Sequence, residues 1–291
     1  MLSILIPTHD FTCYKLVNDL HKQAEKLGVP YEIIVGEDGS RSQVDIIANH
    51  KITDLSHCRH LIRKENVGLA ETRNELARAA VYEWIILIDS DAKVEKEDFL
   101  QTYLDNVGKA DIIIGGLYHP RVNHDPNRTL RFKYEKEADK HRSAKERSIE
   151  PYGKFSAFNA MMRRSTFLCI LFDKRCKQYG YEDTLFGVES SKRGISILHI
   201  DNPLLHNGLD TNEAFLRKSE LAMQNLRMLG DSMESGSRIG RTVARIRRYR
   251  LLWAMRLFFR LFKKPIRHNL LSENPSLFWF SVYKLGYYST L

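Results

Sequence analysis

The stretch WIILIDSDAKV (84–94) decides the fold. Trp84–Ile88 is a short, bulky apolar run rich in isoleucine, which reads as a strand buried on both faces. The run ends at Asp89-Ser90-Asp91, residues unsuited to a core. Outward from it the same pattern repeats. Leu2–Ile6 is a strand run leading to Thr8-His9-Asp10, and Tyr31–Val35 is another, closed by Glu37-Asp38-Gly39-Ser40. Between them Tyr14, Leu16, Val17, Leu20, Ala24 and Leu27 recur at helical spacing up to Gly28. A helix over 42–50, a strand at His60–Arg63, helices over Leu69–Val81 and Lys96–Val107, and a strand at Asp111–Gly115 continue the series. This alternation predicts an α/β fold with a mostly parallel sheet flanked by helices.

The pattern breaks at residues 121–154, which are polar and charged, with a helix expected from Leu130 to Arg147. Apolar texture returns at Phe155–Leu171, and Thr184–Lys192 reads as helical. A composition of 43% apolar and 28% charged residues excludes a wholly disordered, collagen-like or disulfide-scaffold chain. Cys13, Cys58, Cys169 and Cys176 lack metal-ligand spacing and read as reduced cytosolic thiols. No run of 18 uncharged apolar residues is present, so no membrane span is expected, and MLSILIPTHD reads as a strand rather than a targeting segment.

The formal net charge is +9, yet eleven Arg and Lys lie between Ser237 and His268 with no acid among them. Glu273 and Lys284 cancel beyond, so residues 1–236 are slightly acidic. A nucleic-acid partner is not expected, because that needs a basic face on the folded body. The positive residues are instead interleaved with bulky apolar ones, as in ARIRRYRLLWAMRLFFRLFKK (244–264). On a helix, Arg241, Arg245, Arg248, Arg256, Arg260, Lys263 and Arg267 form a broken basic stripe. Val243, Ile246, Trp253, Leu257, Phe258, Leu261 and Phe262 fall mostly on other faces. This basic amphipathic helical tail suits an anionic membrane surface; the alternative is a helix docked on the body with solvated arginines. Pro265 is expected to end or kink it. The aromatic segment SLFWFSVYKLGYYSTL (276–291) reads as a second interfacial element or a contact in a homodimer. Gly and Ser cluster near Asp231–Ser237, dividing a domain over 1–236 from an extension over 237–291.

In open α/β sheets ligands bind beyond the carboxyl ends of the strands. Thr8-His9-Asp10, Glu37-Asp38-Gly39-Ser40 and Asp89-Ser90-Asp91 all occupy such positions, and together they can line one crevice. Asp89 and Asp91 offer oxygen ligands to Mg²⁺ or Mn²⁺, whose shell substrate phosphates would complete. The alternative is a solvated turn. Glu182-Asp183 is either a catalytic pair or a pair of acids favoured by a helix N-terminus. An Asp183 flanked by Tyr179, Tyr181 and Phe186 suits a general base. Asn159 reads either as a sugar contact or as a loop amide bonding its own backbone.

SILIPTHD (3–10), EIIVGEDGS (32–40), NVGLAETRNELARAA (66–80), WIILIDSDAKV (84–94), YGYEDTLFG (179–187) and HIDNPLLHNGLD (199–210) follow one another in an order that resembles family 2 glycosyltransferases with the GT-A fold. The likeness is to bacterial cell-surface-glycan transferases and covers residues 1–230. It implies that Thr8 and Asp38 hold the nucleotide, with Asp38 at the nucleobase. Glu37 stands where aspartate is commoner, which puts its nucleotide contact in question. The resemblance places Arg73 and Asn74 near the nucleotide and donor sugar, and Asp89 facing ribose or sugar. It implies Asp91 and His206 as metal ligands and Asp183, beside Glu182, as catalytic base. The expected activity is metal-dependent inverting transfer from a nucleotide-sugar, a UDP-sugar, to a glycan or lipid-linked acceptor in cell-surface polysaccharide synthesis. The expected location is cytoplasmic, peripheral on the inner face of the cell membrane. The alternatives are a nucleotidyltransferase, which usually carries a basic Gly-rich loop absent after the first strand, and a non-catalytic membrane-docking protein.

Overall fold

The computed structural model describes residues 1–176, 180–230 and 237–291. Along the chain run β1 (Leu2–Thr8), α1 (Tyr14–Leu27), β2 (Tyr31–Asp38), α2 (Gln43–His50), β3 (Cys58–Arg63), α3 (Leu69–Ala79), β4 (Trp84–Ile88), β5 (Ala92–Lys93), α4 (Phe99–Leu104), β6 (Ile112–Ile114) and β7 (Leu117–Tyr118). There follow α5 (Thr129–Asp139), α6 (Ala144–Arg147), β8 (Asn159–Arg163), α7 (Arg164–Ile170), α8 (Glu182–Lys192), β9 (Ile197–His199) and β10 (Leu204–His206). The last helices are α9 (Asn212–Leu229), α10 (Arg238–Arg248), α11 (Leu252–Leu271) and α12 (Leu277–Thr290).

The chain falls into two compact units. The first comprises Met1–Tyr118, Arg142–Lys177 and Phe186–Gly208; the second comprises His119–His141, Gln178–Leu185 and Leu209–Leu291. The boundary expected at 236/237 falls beside residues 231–236, outside the described residues.

The first unit holds a seven-stranded sheet in the order β3-β2-β1-β4-β8-β6-β9 and a small sheet β5-β10-β7. β3, β2, β1 and β4 run parallel, and only β8 opposes its neighbours β4 and β6. The α/β expectation with a mostly parallel sheet is met. β1, β2 and β4 are buried along their whole length because helices cover both faces, which is why they read as unbroken apolar runs. Leu16, Val17 and Leu20 of α1 and Phe99, Leu100 and Tyr103 of α4 pack with Ile4, Ile6, Ile33, Val35, Ile86 and Ile88 in one core. Gly28, at φ 63°, ends α1 where its spacing predicts.

The second unit is helical. Leu130 of α5, Phe215 and Leu216 of α9, Phe259, Ile266 and Leu270 of α11, and Phe280 and Tyr283 of α12 form its core. A Cβ at Gly286 would come within 2.3 Å of the Phe259 ring, so glycine there lets α12 approach α11.

Three local expectations need correction. The single helix expected from Leu130 to Arg147 is two, because Ser143 accepts from the Glu146 N–H at 3.3 Å and caps a new start. The segment 244–264 is also two helices, parted at Arg250, whose φ is 56°. Pro265 does not end its helix: α11 continues to Leu271. Burial of Ile266 and Leu270 outweighs the roughly 3 kcal/mol that proline costs inside a helix.

Candidate active site

Parallel pairing in the order β2-β1-β4 delivers three polar exits to one edge of the sheet. Thr8 is paired with Glu37, and Leu5 with Leu87, so Thr8 leaves the sheet level with the 89–91 turn. The convergence expected from sequence is therefore built into the strand register.

The turn itself is tight. Asp89 N–H donates to the Phe158 carbonyl at 3.3 Å and Ala92 N–H to the Asp89 carbonyl at 3.0 Å. β5 follows at once and pairs antiparallel with β10, placing His206 opposite Ala92. This register brings together residues 115 positions apart: His206 Nε2 lies 2.9 Å from Asp91 Oδ2. The Phe158 ring meets the imidazole edge-on with centroids 5.0 Å apart. Asn207 N–H donates to the Asp91 carbonyl at 3.1 Å, and a Cβ at Gly208 would stand 2.2 Å from Asp91 Oδ2. Glycine at 208 thus keeps the carboxylate's place open.

One carboxylate oxygen and one imidazole nitrogen are a fitting donor pair for Mn²⁺ or Mg²⁺. Adjacent ligand atoms on an octahedral ion at about 2.1 Å lie about 3 Å apart, the spacing seen here. Among the described residues no group of three or more His, Cys, Asp and Glu is set to hold a metal. A pair of this kind leaves most of the shell to substrate oxygens and water.

Arg73, at the centre of α3, is almost wholly buried and donates to Asp89 Oδ1 at 2.6 Å, with its guanidinium 5.3 Å from the Phe172 ring centroid. The ion pair fixes Asp89 at the strand end. Asn74 is fully buried: its Oδ1 accepts from Phe172 N–H at 2.8 Å, and its Nδ2 donates to the Phe172 carbonyl and to Glu71, both at 3.0 Å. That amide clamps α3 to residue 172 and presents no surface to solvent.

Asp38 accepts from the N–H groups of Val67 at 2.8 Å and Gly68 at 2.9 Å, one on each carboxylate oxygen. It holds the turn that opens α3, so a nucleobase contact would have to share it. Glu37 is buried and accepts from Asn49 Nδ2 at 2.7 Å, from Ser40 Oγ, and lies 3.3 Å from His60 Nε2. Burial pushes its carboxyl up, but bonds from His60, Ser40 and Asn49 outweigh this and hold it below the usual range. Thr8 Oγ1 donates to the Phe11 carbonyl at 2.9 Å and shapes the loop leaving β1.

Glu182 and Asp183 open α8, in the second unit. Glu182 Oε2 accepts from Gly180 N–H at 2.8 Å, turning back to cap the segment before the helix. Tyr181 takes φ 70°, a left-handed backbone uncommon for a tyrosine. Tyr179 lies outside the described residues.

Sequence reading did not find the parts that Asn159, Asp10 and Gly208 play in this region. Asn159 is buried and does not bond its own loop. It accepts from Tyr103 Oη at 2.7 Å and donates to the carbonyls of Gly116 and Asn202, both at 2.8 Å. Asp10 Oδ1 accepts from Ser42 N–H at 2.9 Å and from Arg41 N–H, tying the β1 and β2 loops together. The Asn-Gly pair directly after His206 was the available signal for Gly208.

A family model described as glycosyl transferase family 2 matches residues 3–171. No curated protein matches the chain significantly. Among solved structures, Staphylococcus aureus TarS 1–349 in complex with UDP-GlcNAc is similar at TM-score 0.53 and 16% identity, over 79% of this chain and 66% of that one. The mannosyltransferase PcManGT from Pyrobaculum calidifontis, in complex with GDP-Man and Mn²⁺, is similar at TM-score 0.51 and 15% identity, over 77% of this chain and 62% of that one. The chain spans just under two thirds of these solved chains, and at such identity the likeness speaks to the fold. With the family model matching more than half its length, and a GT-A-type sheet beneath the site, the chain belongs to glycosyl transferase family 2.

Proposed function

We propose that the chain is a metal-dependent, inverting glycosyltransferase. It moves a sugar from a nucleotide-sugar, a UDP-sugar, to a glycan or lipid-linked acceptor in cell-surface polysaccharide synthesis, peripheral on the inner face of the membrane. The observation that carries this reading is the Asp91–His206 pair, 2.9 Å apart at the exit of β4. Family membership weighs against the nucleotidyltransferase alternative.

Asp91 and His206 would hold Mn²⁺ or Mg²⁺, which would supply positive charge to offset that developing on a departing diphosphate. Arg73 keeps Asp89 oriented toward the donor. The acceptor hydroxyl oxygen attacks the anomeric carbon, the bond from that carbon to the diphosphate breaks, and Asp183 takes the hydroxyl proton.

Titration calorimetry with UDP and GDP, each with and without Mn²⁺, tests the donor half. UDP binding that requires Mn²⁺ is expected, and folded protein that binds neither nucleotide would favour the docking protein instead. For the acceptor half, Asp183→Asn is expected to lower transfer by about 1,000-fold while sparing UDP binding. Near wild-type transfer would move the base elsewhere.

A further inference from the structure

The C-terminal helices present an outer face that the second unit leaves uncovered. On α11, Phe259, Ile266 and Leu270 turn inward. Trp253, Leu257 and Leu261, spaced four residues apart, form a strip on the opposite side. They are 66%, 51% and 65% exposed, and neighbouring Phe262 is 47% exposed. Tyr249 and Leu251, at the joint with α10, extend the apolar surface at 67% and 50% exposure. So many large apolar side chains along one helix exceed what isolated surface residues explain.

The charges around the strip are all of one sign. Arg260 and Lys264 lie within one helical turn of it and are exposed, as are Arg245 and Arg248 of α10. Three other cations of α11 have partners within the unit: Arg256 donates to the Ser289 carbonyl, Arg267 to Glu213 at 3.0 Å, and Lys263 sits 5.8 Å from the Phe259 and Tyr287 ring centroids. The helix is thus anchored by its inner face, while its outer face combines a tryptophan, two leucines and unshielded cations. Among the described residues no helix is long and apolar enough to cross a membrane.

We propose that this face of α11, with the end of α10, lies on an anionic phospholipid bilayer. Trp253, Leu257 and Leu261 enter the headgroup–acyl boundary, and Arg260 and Lys264 reach the phosphates. Charge selects this occupant: a second copy of the chain would bring the same excess of positive charge against itself, whereas an anionic lipid surface complements it. The two sequence readings of the tail, docked helix and membrane helix, then describe its two faces.

This deepens the membrane placement proposed above and rests on it. Vesicle binding is read without donor and nucleotide binding without vesicles, so failure of either shows by itself. The full chain is mixed with vesicles of phosphatidylglycerol and phosphatidylcholine, or of phosphatidylcholine alone, and sedimented. Binding at least tenfold tighter to the anionic vesicles is expected, weakening as salt is raised. Trp253→Ser/Leu257→Ser/Leu261→Ser is expected to lose at least tenfold in vesicle binding with Tm unchanged, since these side chains are exposed. Should that variant fold poorly, Arg260→Gln/Lys264→Gln reads the same surface and is expected to abolish the preference for anionic vesicles. No binding to anionic vesicles, or variants that bind as wild type does, overturns the proposal. So does a wild-type dimer that ignores vesicles and becomes monomeric in the triple variant.

Discussion

Two histidines end neighbouring stretches of the chain, His199 on β9 and His206 on β10, and their surroundings differ in kind. His199 is nearly fully buried; its Nδ1 accepts from Arg147 at 2.7 Å and its Nε2 donates to the Pro151 carbonyl at 3.0 Å. Arg147 also donates to the carbonyls of Ile114 at 3.1 Å, Gly115 at 3.3 Å and Ile200 at 2.7 Å. That cluster ties the ends of β6 and β9 and both ring nitrogens are engaged by protein. His206 instead faces an acid across a partly open edge, with a glycine where a side chain would crowd it. Burial with complete pairing suits a structural histidine; a carboxylate partner beside open space suits the ligand role proposed for His206.

Between the two histidines, the larger expected effect falls on His206 and its partner. Asp91→Ala or His206→Ala should lower Mn²⁺-supported transfer by about 100-fold or more, roughly 3 kcal/mol of barrier, while Tm moves little. Transfer by Asp91→Ala at the wild-type rate would break the comparison at its functional end.

His199 should respond to pH through stability. Burial, chiefly, lowers its pKa from an ordinary 6.5 to about 4. The unfolded chain therefore binds more protons than the folded one between these values. Stability is fully present above pH 6.5 and falls as pH drops toward 4, by about 3 kcal/mol in total. Urea unfolding at pH 4.5 and 7 reads this, and His199→Gln should flatten the slope. An unchanged slope would mean that His199 is not the titrating group.

The smallest effect expected is also the most local. A methyl group at 208 would force the Asp91 carboxylate to shift, because 2.2 Å is far inside contact distance. Gly208→Ala should cut Mn²⁺-supported transfer by about tenfold with Tm nearly unchanged, measured as Mn²⁺ dependence of rate. Unaltered Mn²⁺ dependence would show that Asp91 does not need this position.

Much of the first unit was legible because its strands are buried on both faces. Trp84–Ile88 is a strand at the bounds its apolar run predicts, and Tyr14–Leu27 a helix ended by its glycine. The helix ends read less well, as at Lys96–Val107, where only Phe99–Leu104 is helical. Pairing was not legible. β8 reads like any apolar run, and its antiparallel place between β4 and β6 rests on long-range hydrogen bonds. Asn74 and Asn159 look alike in sequence to ligand-binding amides, yet both are engaged by backbone groups far along the chain.

Residue order by itself determined the alternation of strand and helix, the acidic strand exits and the concentration of positive charge in the tail. Those features follow from local periodicity and composition, which need no partner to be expressed. Tertiary structure alone decided that β10 returns beside β5 to set His206 against Asp91, that His199 is sealed by Arg147, and which apolar residues of α11 face inward. Each of these depends on which distant segments share a register or a core, and side-chain chemistry becomes specific only when that neighbour is in place.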